Sequence, residues 1–173
     1  DRLQDGVERL KTYGAKILTG GKPAAGPGFH FENTLLRVDG TDFLENCDDM
    51  QDEVFGNAAL IVVADDQNQL LEIIDNLGGD LTASIYSATN GGDDALYDLI
   101  EPGLRRIVGR LINDKMPTGV AVSPAMCHGG PFPASGHPGF TAVGIPASLR
   151  RFAALQCYDG VRNNRLPEAL RDK

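Results

Sequence analysis

Apolar residues recur at helical spacing in the first turns of the chain, at Leu3, Val7 and Leu10, and the run stops at Gly14, where a glycine can close a helix. Residues 15–19 then read as a short strand closed by Gly20 and Gly21, and the Gly/Pro-rich stretch 20–28 as a surface loop. Phe29, His30 and Phe31 alternate into Leu35, Leu36 and Val38 as extended chain. Residues 58–63, AALIVV, are apolar without interruption, the pattern of a strand buried on both faces. Asp65 and Asp66 can cap the helix that follows, with Gln69 placed for a capping box. That helix carries Leu70, Ile73, Ile74 and Leu77 on one face and ends at Gly78-Gly79. Residues 81–86 form a further strand. After Asn90-Gly91-Gly92, a second amphipathic helix presents Leu96, Ile100, Leu104 and Ile107, with Pro102 expected to kink it. Residues 110–113 make the next strand.

Strand, helix, strand, helix and strand in that order, with connections this long, predict an α/β fold: a mostly parallel sheet with flanking helices. The ligand edge of such a sheet is expected at the carboxyl ends of its strands. From 117 to 146 the pattern collapses into Gly, Pro and small residues, a length that points to a functional loop. Residues 149–158 read as a terminal strand of mixed polarity, which needs an edge to pair with.

A chain of 173 residues with 42% hydrophobic and 23% charged residues supports one domain with a core rather than a disordered chain. No run approaches the ~18 consecutive apolar residues of a membrane span. The opening residues, without Met, a basic start or an apolar run, lack signal-peptide features and suggest a start inside a longer chain. Cys47, Cys127 and Cys157 are widely spaced, so neither a disulfide framework nor a metal site is expected, and a reducing, cytoplasmic setting fits best. The net charge of −8 conceals a division. Residues 1–102 hold 6 Lys/Arg against 20 Asp/Glu, whereas residues 103–173 hold 10 against 4. An acidic whole with no basic and aromatic stripe argues against a nucleic-acid partner. The basic end can face an acidic surface of the same protein, or simply be a solvated face.

Candidate chemistry concentrates at residues 52–57, DEVFGN, just before the apolar strand. The Glu53 carboxylate offers two acceptor oxygens, enough for both hydroxyls of a ribose. Phe55, two residues on, can lie on the same side and pack against a flat heterocycle. On residue types alone, a solvated glutamate and a core phenylalanine at a strand start is the stronger reading. Cys127-His128-Gly129-Gly130 combines a thiol, an imidazole and free glycine amides, which is the inventory of a thiol hydrolase. Adjacent side chains rarely face one another, however, and no orienting Asp or Asn is close in sequence. A pocket-forming loop is the better reading there. His30 and His137 have no metal-ligand spacing.

Glu53-Val54-Phe55-Gly56 before an apolar strand resembles the Glu-Glu-Ile-Phe-Gly-Pro motif of the aldehyde dehydrogenase superfamily. Residues 14–21 (GAKILTGG), 28–34 (GFHFENT), 109–113 (GRLIN) and Pro131-Phe132 resemble four more of its motifs, in order, over residues 1–135. Residues 113–120, 128–133 and 143–158 resemble the branch containing 2,5-dioxopentanoate (α-ketoglutaric semialdehyde) and bacterial fatty-aldehyde dehydrogenases. The resemblance implies the C-terminal part of that family's catalytic domain over 1–135, and a loop and terminal oligomerisation strand over 136–173. It further implies oxidation of an aldehyde to a carboxylate with NAD or NADP, in a homo-oligomer. Glu53 would hold the nicotinamide ribose, Phe55 pack beside the nicotinamide, and Phe132 line the aldehyde tunnel. Asn57 stands where the family has proline, which predicts a less rigid corner. The family's nucleophilic cysteine, general base and cofactor domain precede the matched region, and none of the three cysteines matches the nucleophile. The chain alone is therefore expected to be inactive. A non-catalytic assembly module derived from the same fold is the alternative.

Overall fold

The computed structural model describes residues 2–117, 119, 123–141, 143 and 148–172. Helix α1 spans Arg2–Thr12 and buries Val7 and Leu10. It stops because Gly14 takes φ +96°, which lets the Ala15 amide reach back to the Leu10 carbonyl at 3.1 Å. Strand β1 (Lys16–Thr19) runs antiparallel to β2 (Thr34–Asp39), and β2 runs parallel to β3 (Ala58–Val63). Two short helices, α2 (Gly40–Glu45) and α3 (Cys47–Gln51), fill the β2–β3 crossover. Helix α4 (Gln67–Asn76) starts at Asp66, whose carboxylate accepts the Asn68 and Gln69 amides, while Gln69 Oε1 accepts the Asp65 amide at 2.7 Å. The reciprocal cap is formed, one residue earlier than a strict capping box. Strand β4 (Asp80–Ile85), helix α5 (Asp94–Ile107, with Pro102 inside it) and β5 (Val108–Asn113) complete the order, β4 and β5 being parallel.

The α/β class and parallel pairing stand, but the single sheet does not. The strands form a three-stranded sheet, β1-β2-β3, and a two-stranded one, β4-β5. β3 and β4 are therefore both edges, and an open cleft lies between them. For the same reason β3 is not buried on both faces: Leu60 and Val62 pack toward the core, whereas Ala59 and Ile61 are exposed on the other side. The core gathers between the first sheet and its helices, where Val7, Leu10, Leu36, Val38, Phe43, Met50 and Ile73 close on one another.

The terminal strand expected at 149–158 is absent. Leu149–Phe152 forms one helical turn, α6, and residues 153–160 continue exposed and without regular structure. A mixed-polarity segment becomes a strand only by pairing with an edge, and this one pairs with none of the described strands. Part of the loop expected at 117–146 lies outside the described residues. The rest is a loop, stitched by the His128 amide to the Thr141 carbonyl and by the Val143 amide to the Met126 carbonyl.

Candidate functional site

Helix α3 ends at Gln51, and Asp52, at φ −56° and ψ 123°, turns the chain into an extended segment. That segment lasts until Gly56, whose φ of +156° suits glycine, and β3 begins two residues later. Alternation along it separates two sets of side chains. Asp52 and Val54 face α1, as does the bare face of Gly56, while Glu53 and Phe55 are exposed to the other side. Phe55 is 85% exposed, so it is not a core phenylalanine of this chain. Glu53 has no hydrogen-bond or ion-pair partner among the described residues.

Three side chains hold this corner. Arg9 Nη1 donates to Asp52 Oδ2 at 2.6 Å, and Nη2 to the Asp52 carbonyl at 3.1 Å. Gln51 Nε2 donates to the Asn76 carbonyl at 3.1 Å, and its Oε1 accepts the Gly78 amide at 2.6 Å, tying the end of α3 to the end of α4. Asn57 Nδ2 donates to the Phe31 carbonyl at 2.9 Å and to Asn33 Oδ1 at 3.0 Å. Asn57, where the family has proline, thus ties the corner to residues 31 and 33 by hydrogen bonds. Spacing gave no signal for Arg9 or Gln51. The alternation of 52, 54 and 56 against 53 and 55 was the available one.

Glu53 and Phe55 share a cavity of about 400 Å³ with Met50 and Ala59. Glu53 also borders the larger cleft, of about 720 Å³, between the edges of β3 and β4. Across that cleft lie Pro133 and Ala134, whereas Phe132, 82% exposed, does not line it. The structure therefore brings Glu53 and Phe55 together and sets Phe132 apart, on the turn across the cleft from Glu53. This turn sits close because only glycines admit it. A Cβ on Gly79 would strike the Pro131 and Phe132 carbonyls, one on Gly130 the Asp80 carbonyl, and one on Gly109 the Gly129 carbonyl.

Asp80 and Val108 open β4 and β5, and residues 52–57 precede β3, so the candidate site lies at the amino ends of the strands. These candidates lie at the end of the strands opposite the carboxyl-end ligand edge that the fold class led one to expect. The motif residues are placed before the apolar strand, and the glycine-lined loop folds back onto the same end.

Among the described residues Cys127 is not paired with His128: its Sγ lies 3.0 Å from Thr141 Oγ1 and near the carbonyls of Gly129 and Pro138. Burial pushes the Cys47 thiol above its ordinary range, partly offset by the Gln51 amide that donates to its sulfur. Among the described residues no group of three His, Cys, Asp or Glu side chains could hold a metal ion.

Residues 1–104 match the model of the aldehyde dehydrogenase family. The chain is 41% identical over 120 residues to α-ketoglutaric semialdehyde dehydrogenase 2 of Azospirillum brasilense, covering 69% of this chain and 22% of that protein. It is 37% identical over 140 residues to α-ketoglutaric semialdehyde dehydrogenase of Acinetobacter baylyi, covering 80% of this chain and 26% of that one. Among solved structures, lactaldehyde dehydrogenase from Escherichia coli superposes with a TM-score of 0.55 at 26% identity, over 75% of this chain and 24% of that one. Betaine aldehyde dehydrogenase from Staphylococcus aureus, solved with NAD+, gives 0.56 at 19% identity over the same shares, a likeness of fold alone. The chain thus spans about a quarter of the length of these relatives.

Proposed function

This chain belongs to the aldehyde dehydrogenase family, and from that premise we propose that it supplies the nicotinamide end of the cofactor site in an enzyme that oxidises an aldehyde to a carboxylate with NAD or NADP. The observation that carries the reading is the pairing of Glu53 and Phe55 on one exposed side of a braced corner, with the carboxylate unpartnered. An unpartnered carboxylate can accept two ribose hydroxyls, and an exposed ring beside it can cover one face of a flat heterocycle. The cofactor, when bound, supplies the hydride acceptor. The residues of this chain orient and do no covalent work: Glu53 fixes the ribose, Phe55 limits sideways motion of the ring, and the turn with Phe132, Pro133 and Ala134 shapes the approach of the aldehyde. Two relatives above 35% identity act on α-ketoglutaric semialdehyde by name, which favours an aldehyde that carries a carboxylate, such as 2,5-dioxopentanoate. The nucleophile and general base come from outside these residues. The protein works in the cytoplasm as a homo-oligomer, with residues 1–135 in the catalytic domain and 136–173 as the assembly segment. Residues 149–158 become a strand on a neighbouring subunit's sheet.

Glu53→Gln in the full-length protein tests the cofactor role. It keeps the shape and loses the charge, and hydrogen bonds to a charged group are worth roughly 1.5–3 kcal/mol. Single-turnover hydride transfer should slow by about one to two orders of magnitude, at ~1.4 kcal/mol per tenfold. The thermal melt should hold within about 0.5 kcal/mol, as for other exposed substitutions. Wild-type hydride transfer in this variant removes Glu53 from the site. For assembly, sedimentation of the full-length protein as a monomer would end the proposed strand exchange.

A further inference from the structure

Helix α1 and the segment 52–56 lie side by side and run in opposite directions. Residues 3, 6 and 9 climb one inclined row of the helix, with about 5–6 Å between neighbouring Cβ atoms. Residues 56, 54 and 52 share one face of the extended segment, about 6.6 Å apart. The contacts match them in that order. A Cβ on Gly56 would come within 2.7 Å of Leu3 Cδ2, and a Cβ on Gly6 within 2.8 Å of Val54 Cγ1. Arg9 closes the row with its two hydrogen bonds to Asp52.

We propose that α1 is the brace that aims Glu53 and Phe55, and that Arg9 is its positioning residue. With 52, 54 and 56 in contact with the helix, 53 and 55 point to the other, exposed side, and the whole segment together with Leu10 of α1 lines the cavity at this corner. The Leu3 and Gly6 contacts are apolar and tolerate sliding along the row. Arg9 does not, because its planar fork engages both the Asp52 carboxylate and the Asp52 carbonyl. That carbonyl belongs to the peptide joining Asp52 to Glu53, so the fork sets the plane from which the Glu53 side chain departs. Arg9 and Asp52 are 32% and 66% exposed, and an ion pair this exposed adds little to global stability. Its effect is local orientation. The proposal rests on the cofactor reading of Glu53, and the experiment separates the two.

In the full-length protein, Arg9→Met, Arg9→Lys, Asp52→Asn, Gly6→Ala and Glu53→Gln are compared by cofactor KM, aldehyde KM, single-turnover hydride transfer and thermal melting. Arg9→Met should raise the cofactor KM and slow hydride transfer by roughly three- to tenfold each, since displacement at a reacting centre is steeply felt. Aldehyde KM and the melt should stay put. Arg9→Lys should fall between, keeping charge without the fork. Asp52→Asn, which leaves the carbonyl contact, should do less than Arg9→Met, and the double variant no more than Arg9→Met. Gly6→Ala favours the helix yet forces the stiff Val54 side chain to move, so it should slow hydride transfer without lowering the melt. If Glu53→Gln is impaired while Arg9→Met transfers hydride at the wild-type rate, the brace is overturned and the cofactor reading stands. If Glu53→Gln is unimpaired, the cofactor reading itself falls. Should Arg9→Met fail to fold, Arg9→Lys decides, and wild-type kinetics there overturn the brace.

Discussion

Residues 2–77 and residues 80–172 both carry amphipathic helices and apolar strands, but the first region buries far more of them. All eight residues of the core cluster lie between Val7 and Ile73. Beyond residue 80, the buried apolar side chains among the described residues are Ile85 and Val108. Helix α5 has a strong apolar stripe and buries none of its residues, whereas α4, with a weaker one, buries Ile73 and Ile74. A periodic stripe therefore fixes which face of a helix seeks cover, and the covering partner must come from elsewhere. Residues 2–77 find that partner within themselves. In the proposed function, residues 80–172 find it in the rest of a larger enzyme.

The largest effect to follow from that division concerns activity. In the proposed function the first region holds a cofactor-orienting corner, and neither region holds a group assigned to bond making or proton transfer. Purified residues 1–173 should therefore show no aldehyde-dependent reduction of NAD or NADP. Turnover above a buffer blank that survives repurification would sink the assignment of the chemistry to residues outside this chain.

A pair of truncations probes the packing contrast directly. Leu36 is fully buried in the first sheet, while Leu155 in the tail is fully exposed. Leu36→Ala should cost about 2–5 kcal/mol in urea unfolding of the chain, the range for leucine truncation in a core. Leu155→Ala should stay within about 0.5 kcal/mol. Comparable costs at the two sites would mean that the tail is covered, and the contrast between regions would disappear.

How much of this could be read from the sequence follows the same division. Helices α1, α4 and α5 and strands β1, β3, β4 and β5 were legible because a period of 3.6 or 2, or an apolar run, coincided with capping residues such as Gly14 and Asp66. Helices α2 and α3 were not. Phe43, Cys47 and Met50 do recur at helical spacing, but Asp39, Gly40 and the break at Asn46 divide the pattern into pieces too short to stand out. The split of the sheet was also illegible, because strand order depends on which edges meet and not on local pattern. The corner at 52–57 was legible as residue types. Its aim was not, because it depends on Arg9, 43 positions away. The strand expected at 149–158 failed for the opposite reason: its local pattern was permissive, and it pairs with no described strand of this chain.

The smallest effect compares one cysteine from each region. Cys47 sits on α3, its sulfur 3.0 Å from Gln51 Nε2 and 3.5 Å from the Asn76 carbonyl, whereas Cys157 is exposed in the tail. Burial raises the Cys47 thiol, Gln51 opposes this by hydrogen-bonding the thiolate, and Asp48 adds to the rise. Maleimide at stepped pH should therefore modify Cys157 first and Cys47 only under more alkaline conditions. The same shift has a stability consequence with a definite sign. A thiol raised on folding keeps its proton in the native state after the unfolded chain, near the usual ~8.5, has begun to lose it. Its contribution is complete below the unfolded value and is lost as pH rises through the folded one. The melting temperature should thus decline above pH ~8.5, by a modest amount because Cys47 is only partly buried. Cys47→Ser should flatten that decline, since it removes the thiol that titrates while keeping a hydrogen-bonding group beside Gln51. An unchanged alkaline slope in the variant, or equal labelling of both cysteines at neutral pH, would show that α3 is as open as the tail.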